Sequence, residues 1–304
     1  MERPRVVVVG SANMDLVATT PTLPRPGETV LGDGFAMVPG GKGANQAIAA
    51  ARAGARCAFL GAIGSDAFGV TLKARLAASG VDAGHLRVVY GTSGVAVIMV
   101  DAGGENAIVA TPGANAAFTA LTAGELAEIA GADVLLCQLE IPVETVLTAT
   151  RAARAAGTRV VLNAAPARPM PAELLDTVDL LVVNEVEAEA ITGSGRGDPE
   201  RLLAAAPRAV LTLGADGAWY GDRDGVTASV SPPTVRAVDS TAAGDAFTAA
   251  LAVAWGEGRE ILDAVRWACA AGAACVRQLG ASPSLPAREQ IDELFTQAYR
   301  GSAH

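Results

Sequence analysis

Short apolar runs alternate along this chain with alanine-rich stretches of helical spacing. Arg5–Gly10, Cys57–Ala62, Val134–Cys137, Arg159–Leu162, Leu180–Val183 and Ala209–Leu213 are such apolar runs, all but Cys57–Ala62 rich in Val and Leu. Such continuous apolar runs predict strands buried on both faces. Between them, Ala44–Ala53, Phe68–Ser79, Val143–Ala156 and Glu185–Ile191 predict helices. The chain closes on three more, Gly244–Trp255, Ile261–Arg277 and Arg288–Tyr299. This alternation predicts the α/β class, a mostly parallel sheet covered by helices.

Two regions break the rhythm. Asp15–Val38 alternates polar and apolar residues around Pro24, Pro26 and Gly27. Gly94–Ala110 predicts a hairpin: Val95, Val97 and Met99 lead to Asp101-Ala102-Gly103-Gly104, and Ile108 and Val109 return. Neither has room for a helix. Together they predict a small sheet projecting from the α/β body, a lid that closes over a substrate and excludes water. The plainer alternative is a pair of surface hairpins.

Composition narrows the class. At 304 residues the chain can form one large α/β domain, or one domain with a small appendage. A formal net charge of −9 argues against nucleic acid as the main partner, which favours a basic face. Much of the apolar content is alanine. The first apolar run, Val6–Val9, is too short to span a bilayer or serve as a signal segment, so no membrane role is expected. Cys57, Cys137, Cys269 and Cys275 have no metal-ligand spacing with the two histidines, His85 and His304. They predict buried, reduced thiols and a cytoplasmic protein.

Two segments carry candidate chemistry. In Asp239-Ser240-Thr241-Ala242-Ala243-Gly244-Asp245, small residues give way to a helix with a carboxylate in its first turn. A helix start offers unpaired N–H groups and the positive end of the dipole to an anion. Asp245 beside that anion could take a proton from a hydroxyl. An ordinary helix-dipole partner is the alternative. Pro39-Gly40-Gly41-Lys42-Gly43-Ala44-Asn45-Gln46 runs into an alanine helix, its glycines allowing close backbone approach. Lys42 is followed by glycine rather than Ser or Thr, which excludes a Walker A loop, and no G-x-G-x-x-G follows the first strand.

These segments, with Gly10–Asp15, Pro26–Thr29, Gly104–Asn106, Gly113–Asn115, Gln138–Glu140, Asn163–Ala167, Asn184–Glu187 and Thr212–Gly214 in order, resemble the ribokinase (PfkB) family of carbohydrate kinases over nearly the whole chain. The resemblance implies a single kinase domain over 1–304. It is a Rossmann-like three-layer α/β/α body with a β-lid formed by about 14–40 and 93–111. It also implies ATP, Mg2+, a sugar hydroxyl as acceptor, a monovalent cation such as K+, and a homodimer formed through the lid.

The residue roles come from the same resemblance. Asp245 is the base, and Ala242, Ala243 and Gly244 form an anion hole for the transferred phosphoryl group. Asn13, Asp15, Gly41, Lys42, Asn45 and Glu140 contact the sugar, a polar set suited to a polyhydroxylated ligand. Asn184 and Glu187 serve phosphate and magnesium, the latter through water. Thr212, Gly214 and Gly217 form the nucleotide loop, with Gly244 also at the nucleotide. Cys269 stands beside adenine, where the family pattern has a histidine. Asp239, Thr241, Cys275, Gln278, Gly280 and Ser284 match the monovalent-cation positions, mostly through backbone carbonyls.

The implied reaction is phosphorylation of D-ribose at its 5-hydroxyl. Ser240, Thr241 and the Thr111-Pro112 step depart from the family pattern, so deoxyribose, fructose, ketodeoxygluconate or a nucleoside stay open as acceptors. A non-catalytic sugar- or nucleotide-binding protein is the alternative from another class. The intact Asp245, anion hole and Asn184/Glu187 pair argue against it.

Overall fold

The structure is a computed structural model that describes residues 3–193 and 199–300. Its strands are β1 (Arg5–Val9), β2 (Asn13–Thr20), β3 (Gly34–Gly40), β4 (Arg56–Gly64), β5 (Leu86–Val89), β6 (Gly94–Asp101), β7 (Asn106–Thr111), β8 (Val134–Cys137), β9 (Arg159–Asn163), β10 (Leu180–Asn184), β11 (Arg208–Thr212), β12 (Ala218–Asp222) and β13 (Thr227–Val230). The helices are α1 (Lys42–Arg52), α2 (Ala67–Ala78), α3 (Ala123–Ala130), α4 (Val143–Ala156), α5 (Ala172–Leu175), α6 (Glu185–Thr192), α7 (Leu202–Ala205), α8 (Ala243–Gly256), α9 (Ile261–Cys275), α10 (Ala281–Ser284) and α11 (Arg288–Tyr299).

Nine strands form the main sheet, in the order β13-β12-β11-β10-β9-β8-β1-β4-β5. It is parallel from β11 through β5 and antiparallel at β12 and β13. Alternation along β1 shows why the run of valines forms a central strand. Val6 and Val8 enter the core under α1, α8 and α9, whereas Val7 and Val9 enter the core under α3 and α4. Fully burying one such side chain is worth about 1.5–3 kcal/mol. Helix α8 is apolar almost all round and is buried from Asp245 to Ala254, packed between α1 and α9.

The expected strands and helices are present, with shifted ends. α9 stops at Cys275 instead of Arg277, because Arg277 N–H and Gln278 N–H turn back to the carbonyls of Ala274 and Cys275. Strands β5, β12 and β13, helix α3 and the four-residue helices α5, α7 and α10 lie outside the predicted set. β12 and β13 are short, include Gly221 and Asp222, and form an antiparallel edge where no long apolar run is required. α3 is held by a Thr122–Glu125 capping box rather than by a long apolar stripe.

The chain runs from β1 to β4 and β5 on one side, then crosses to β8 on the other. That reversal puts a crevice at the carboxyl ends of β1 and β8, where open α/β sheets take ligands. The segments leaving β1, β8, β9, β10 and β11 all open on this edge.

The remaining four strands form a separate sheet, in the order β3-β2-β6-β7. Its root is anchored: Asn13 pairs with Gly40 and Gly94, Met14 is buried, and Leu16 packs on the core. Further out, Phe35, Met37, Val97, Ile108 and Val109 are exposed. Among the described residues, no helix is long and apolar enough to cross a membrane.

Candidate active site

The base candidate sits at an uncapped helix start. Ala242, the N-cap of α8, has φ 62° and is the one non-glycine residue in the left-handed region among the described residues. Holding an L-residue there costs about 1–2 kcal/mol, a strain that clusters at functional sites. No side chain caps the helix. The Ala243 N–H donates to the Ser240 carbonyl at 3.2 Å. Of the three residues expected to form the anion hole, Ala242, Ala243 and Gly244, Ala243 thus has its N–H engaged in the turn in this structure. A Cβ placed on Gly244 meets nothing within 4 Å, so this face of the helix start is open.

Asp245 follows and is 8% exposed. Its Oδ2 accepts from Asn45 Nδ2 at 3.0 Å, and its Oδ1 accepts from Gln46 Nε2 at 2.9 Å. Burial pushes this carboxyl up, while Lys42, Gln46 and Asn45 oppose the rise and Glu140 adds to it. The same carboxylates act on Lys42. Burial pulls its ammonium down, but Asp245, Glu140 and Glu187 outweigh that and raise it, so it stays charged.

The glycine-rich turn explains how α1 reaches this point. Gly41 has φ 89°, and a Cβ on it would lie 2.7 Å from Asn13 N; one on Gly43 would lie 2.5 Å from Ser11 N. Any side chain here would push α1 off the segment after β1. Pressed together, the two segments share Glu140: its Oε2 accepts from Lys42 N–H at 3.0 Å and from Ser11 Oγ. Asn13 Oδ1 accepts from Asn115 Nδ2 at 2.7 Å, which leaves the Asn13 amide nitrogen to donate. Asp15, on β2, is pushed up to about 7 by burial, then by Glu140 and Asp245.

A cavity of about 140 Å3 opens beside Asp245, lined by Lys42, Asn163, Asn184, Glu187, Thr212, Ala242 and Gly244. Residues of α1, β9, β10, α6, β11 and α8 thus meet at one void. Asn184 and Glu187 also build a capping box on α6. Asn184 Oδ1 accepts from Glu187 N–H at 2.8 Å, and Glu187 Oε2 accepts from Asn184 N–H at 2.9 Å. Burial raises the Glu187 carboxyl, against the Asn184 hydrogen bond and the nearby Lys42. Thr212 Oγ1 donates to the Val183 carbonyl at 3.2 Å.

Other predicted residues lie around this void rather than in it. Gly214 (φ 57°) has open space where a Cβ would stand. Gly217 is wedged between Val230 and Pro232, so its first requirement is packing. Cys269 is buried on α9 near the end of β13, and burial pushes its thiol up to about 12. The six residues expected at a monovalent cation lie in neighbouring loops. Asp239 accepts from Thr241 N–H at 2.9 Å, from Thr241 Oγ1 at 2.6 Å and from Gly280 N–H at 2.8 Å. Burial works to raise its carboxyl, but these donors outweigh it and the net direction is down. Cys275 Sγ lies 3.1 Å from Ser284 Oγ, and Gln278 N–H reaches the Cys275 carbonyl at 3.2 Å.

Several site residues carried no predicted role: Ser11, Gln46, Asn115, Gln138 and Asn163. Gln46 had a usable signal, since a glutamine beside Asn45 on the inward face of an alanine helix must find partners. It is fully buried.

A larger cavity, about 500 Å3, lies at the opposite edge of the sheet. Arg154, Arg159, Arg208 and Arg259 line it, yet their charges are answered nearby. Arg154 lies 3.9 Å from Asp179, Arg259 2.9 Å from Glu257, and Arg159 donates to the Trp255 carbonyl. Asp222 is paired with Arg208 across β11 and β12. Size therefore does not locate the chemistry here.

Residues 3–288 match the pfkB family carbohydrate kinases. This chain belongs to that family. A ribokinase of Haemophilus influenzae is 39% identical, the match covering 97% of this chain and 100% of the relative. A ribokinase of Bacillus subtilis is 38% identical over 96% of this chain and 99% of its own length. Among solved structures, Arabidopsis thaliana ribokinase complexed with ribose and ATP superposes with a TM-score of 0.90 at 34% identity, covering 97% of this chain and 99% of that one. The α/β/α architecture and its second, smaller sheet are thus those of a carbohydrate kinase, and this pfkB-family chain is a phosphotransferase.

Proposed function

We propose that this kinase transfers the terminal phosphoryl group of ATP to the 5-hydroxyl of D-ribose, giving ribose 5-phosphate and ADP. The observation that carries the reading is Asp245. It is a buried carboxylate held by two amide donors, beside Lys42 and an open, uncapped helix start, in a chain similar to a ribokinase complexed with ribose and ATP. The attacking hydroxyl gives its proton to Asp245 as its oxygen bonds to the phosphorus and the bond to the ADP oxygen breaks. Charge growing on the transferred group faces the amides of Ala242 and Gly244 and the positive end of α8.

In this reading Asn13, Asp15, Gly41, Lys42, Asn45 and Glu140 take the sugar. The unpartnered, buried Oδ1 of Asn45 supports that assignment, since it needs a donor such as a sugar hydroxyl. Thr212, Gly214, Gly217, Asn184 and Cys269 serve the nucleotide. A magnesium ion carried by ATP supplies charge neutralisation to the phosphates. Glu187 is the carboxylate suited to it through water, as magnesium needs few protein carboxylates. Both Asp239 oxygens already accept from the loop, so a potassium ion bound there would rest chiefly on backbone carbonyls.

The whole chain acts as one kinase domain, with residues 14–40 and 93–111 as its lid. The exposed Phe35, Met37, Val97, Ile108 and Val109 support pairing of two lids in a homodimer. The cytoplasm, where ATP is present and thiols stay reduced, suits its buried free cysteines. The test is ADP release from MgATP against pentoses, hexoses and nucleosides, with potassium and with sodium. Ribose is expected to give the highest kcat/KM, with stimulation by potassium. Preference for another acceptor overturns the substrate, and no turnover with any acceptor overturns the enzyme reading.

A further inference from the structure

A chain of buried amides runs behind the proposed base. Gln138 follows β8 and is fully buried; its Nε2 donates to Gln46 Oε1 at 2.6 Å. Gln46 Nε2 spends both hydrogens, one on Asp245 Oδ1 at 2.9 Å and one on Asn163 Oδ1 at 3.0 Å. Asn163 Nδ2 donates onward to the Val182 carbonyl at 3.2 Å. Chemistry fixes the direction of this chain. An ionised carboxylate only accepts, so the Gln46 atom facing Asp245 must be nitrogen. The other end of that amide must then be oxygen, which requires a donor from Gln138. Gly10 makes room for this arrangement, since a Cβ there would lie 2.1 Å from Gln138 Oε1.

We infer that Gln46 is the positioning residue for Asp245: held by Gln138 and Asn163, it fixes the carboxylate's orientation and favours its ionised, proton-accepting form. This rests on the reading of Asp245 as the base. The amide acts from behind, on Oδ1, while Asn45 holds Oδ2. Each oxygen keeps lone-pair capacity for an incoming hydroxyl. The charged groups facing Asp245 from the packed elements are Lys42 of α1 and Glu140 after β8, with Asp15 of β2, Glu187 of α6 and the Cys275 thiol of α9 further out. Among these Lys42 alone favours the ionised form, and it is shared with Glu140 and Glu187. Neutral amide donors therefore carry part of the task of keeping a buried carboxylate ionised. Hydrogen bonds to the charged form lower a carboxyl's pKa, and losing one raises it.

The experiment compares Gln46→Leu and Gln46→Glu with wild type by kcat and sugar KM from pH 5 to 9, with Asp245→Asn as reference. Gln46→Leu removes the donor. Gln46→Glu keeps the shape and the acceptor for Gln138, but faces Asp245 with an oxygen. Both are expected to move the acid limb of the kcat profile upward by about one pH unit and lower kcat at pH 7 by about tenfold or more, with sugar KM within about threefold of wild type. Gln46→Glu is near-isosteric and gives the answer alone if the leucine variant does not fold. An unmoved acid limb, or a loss confined to KM or thermal stability, overturns the positioning role. Asp245→Asn separates the two readings. If it retains turnover, the base reading fails. If it abolishes turnover while the Gln46 variants titrate as wild type, only the role of Gln46 fails.

Discussion

The two edges of the main sheet hold opposite kinds of charged cavity. At the amino-terminal edge, arginines line about 500 Å3, but carboxylates and carbonyls meet them. At the carboxyl-terminal edge the void is about 140 Å3. There Asp15, Asp245 and Glu187 all have carboxyls raised by burial, with Lys42 among them and the Asn45 carbonyl oxygen unpartnered. The first edge is a solvated surface with its charges balanced. The second stores unbalanced charge and unmet hydrogen bonds, which a polar substrate and its phosphate donor can satisfy. Perturbed groups in a crevice mark a functional site more reliably than volume does.

Substitutions at the two edges sharpen this contrast. The largest effect is expected from Asp245→Asn, which removes the proton acceptor and should lower kcat for ribose phosphorylation by about 10²–10⁴-fold. Steady-state ADP release measures it. Next is Lys42→Met. Lys42 faces Asp245, Glu140 and Glu187, and losing a charged partner of this kind costs about 10–100-fold in kcat/KM. Unchanged kcat/KM in Lys42→Met would show that the carboxylates need no counter-charge.

A smaller effect concerns stability. Asp15 is held near 7, above its ordinary value of 3.8, so the folded protein binds this proton more tightly than the unfolded chain. Its contribution is therefore fully present below about pH 4 and is lost as pH rises through 7. Asp15→Asn removes that loss. In ligand-free protein it should raise Tm at pH 8 by about 3 °C or more, with the gap narrowing at pH 5. Thermal melts at the two pH values check this. The smallest effect is expected at the far edge: Arg154→Ala should leave kcat/KM within about twofold of wild type. A tenfold loss there would break the contrast between the edges.

How much of this was legible in the sequence follows from how far apart the partners lie. The central strands declared themselves because β1, β8 and β10 are buried on both faces and must be apolar throughout. β12 and β13 did not, since an antiparallel edge tolerates Gly221 and Ser229. At the site, Asp245 and the Gly41–Lys42 turn were visible because each needs its residue type locally. The contact between Gln46 and Asp245 was not, as it spans 199 positions and exists only through the packing of α1 on α8. Ala243 shows the reverse case. Its place at the helix start was legible, but whether its N–H was free depended on the Ser240 carbonyl folding back on it.

The most direct measurement is a crystal structure of the protein with ribose, magnesium and a non-hydrolysable ATP analogue. The expected structure has the sugar among Asp15, Lys42, Glu140 and Asp245, with its 5-hydroxyl within hydrogen-bonding distance of Asp245. It places the terminal phosphate at the start of α8 and leaves the arginine-lined cavity empty of nucleotide. Phosphates seated among Arg154, Arg159 and Arg208, or a sugar out of reach of Asp245, would contradict it.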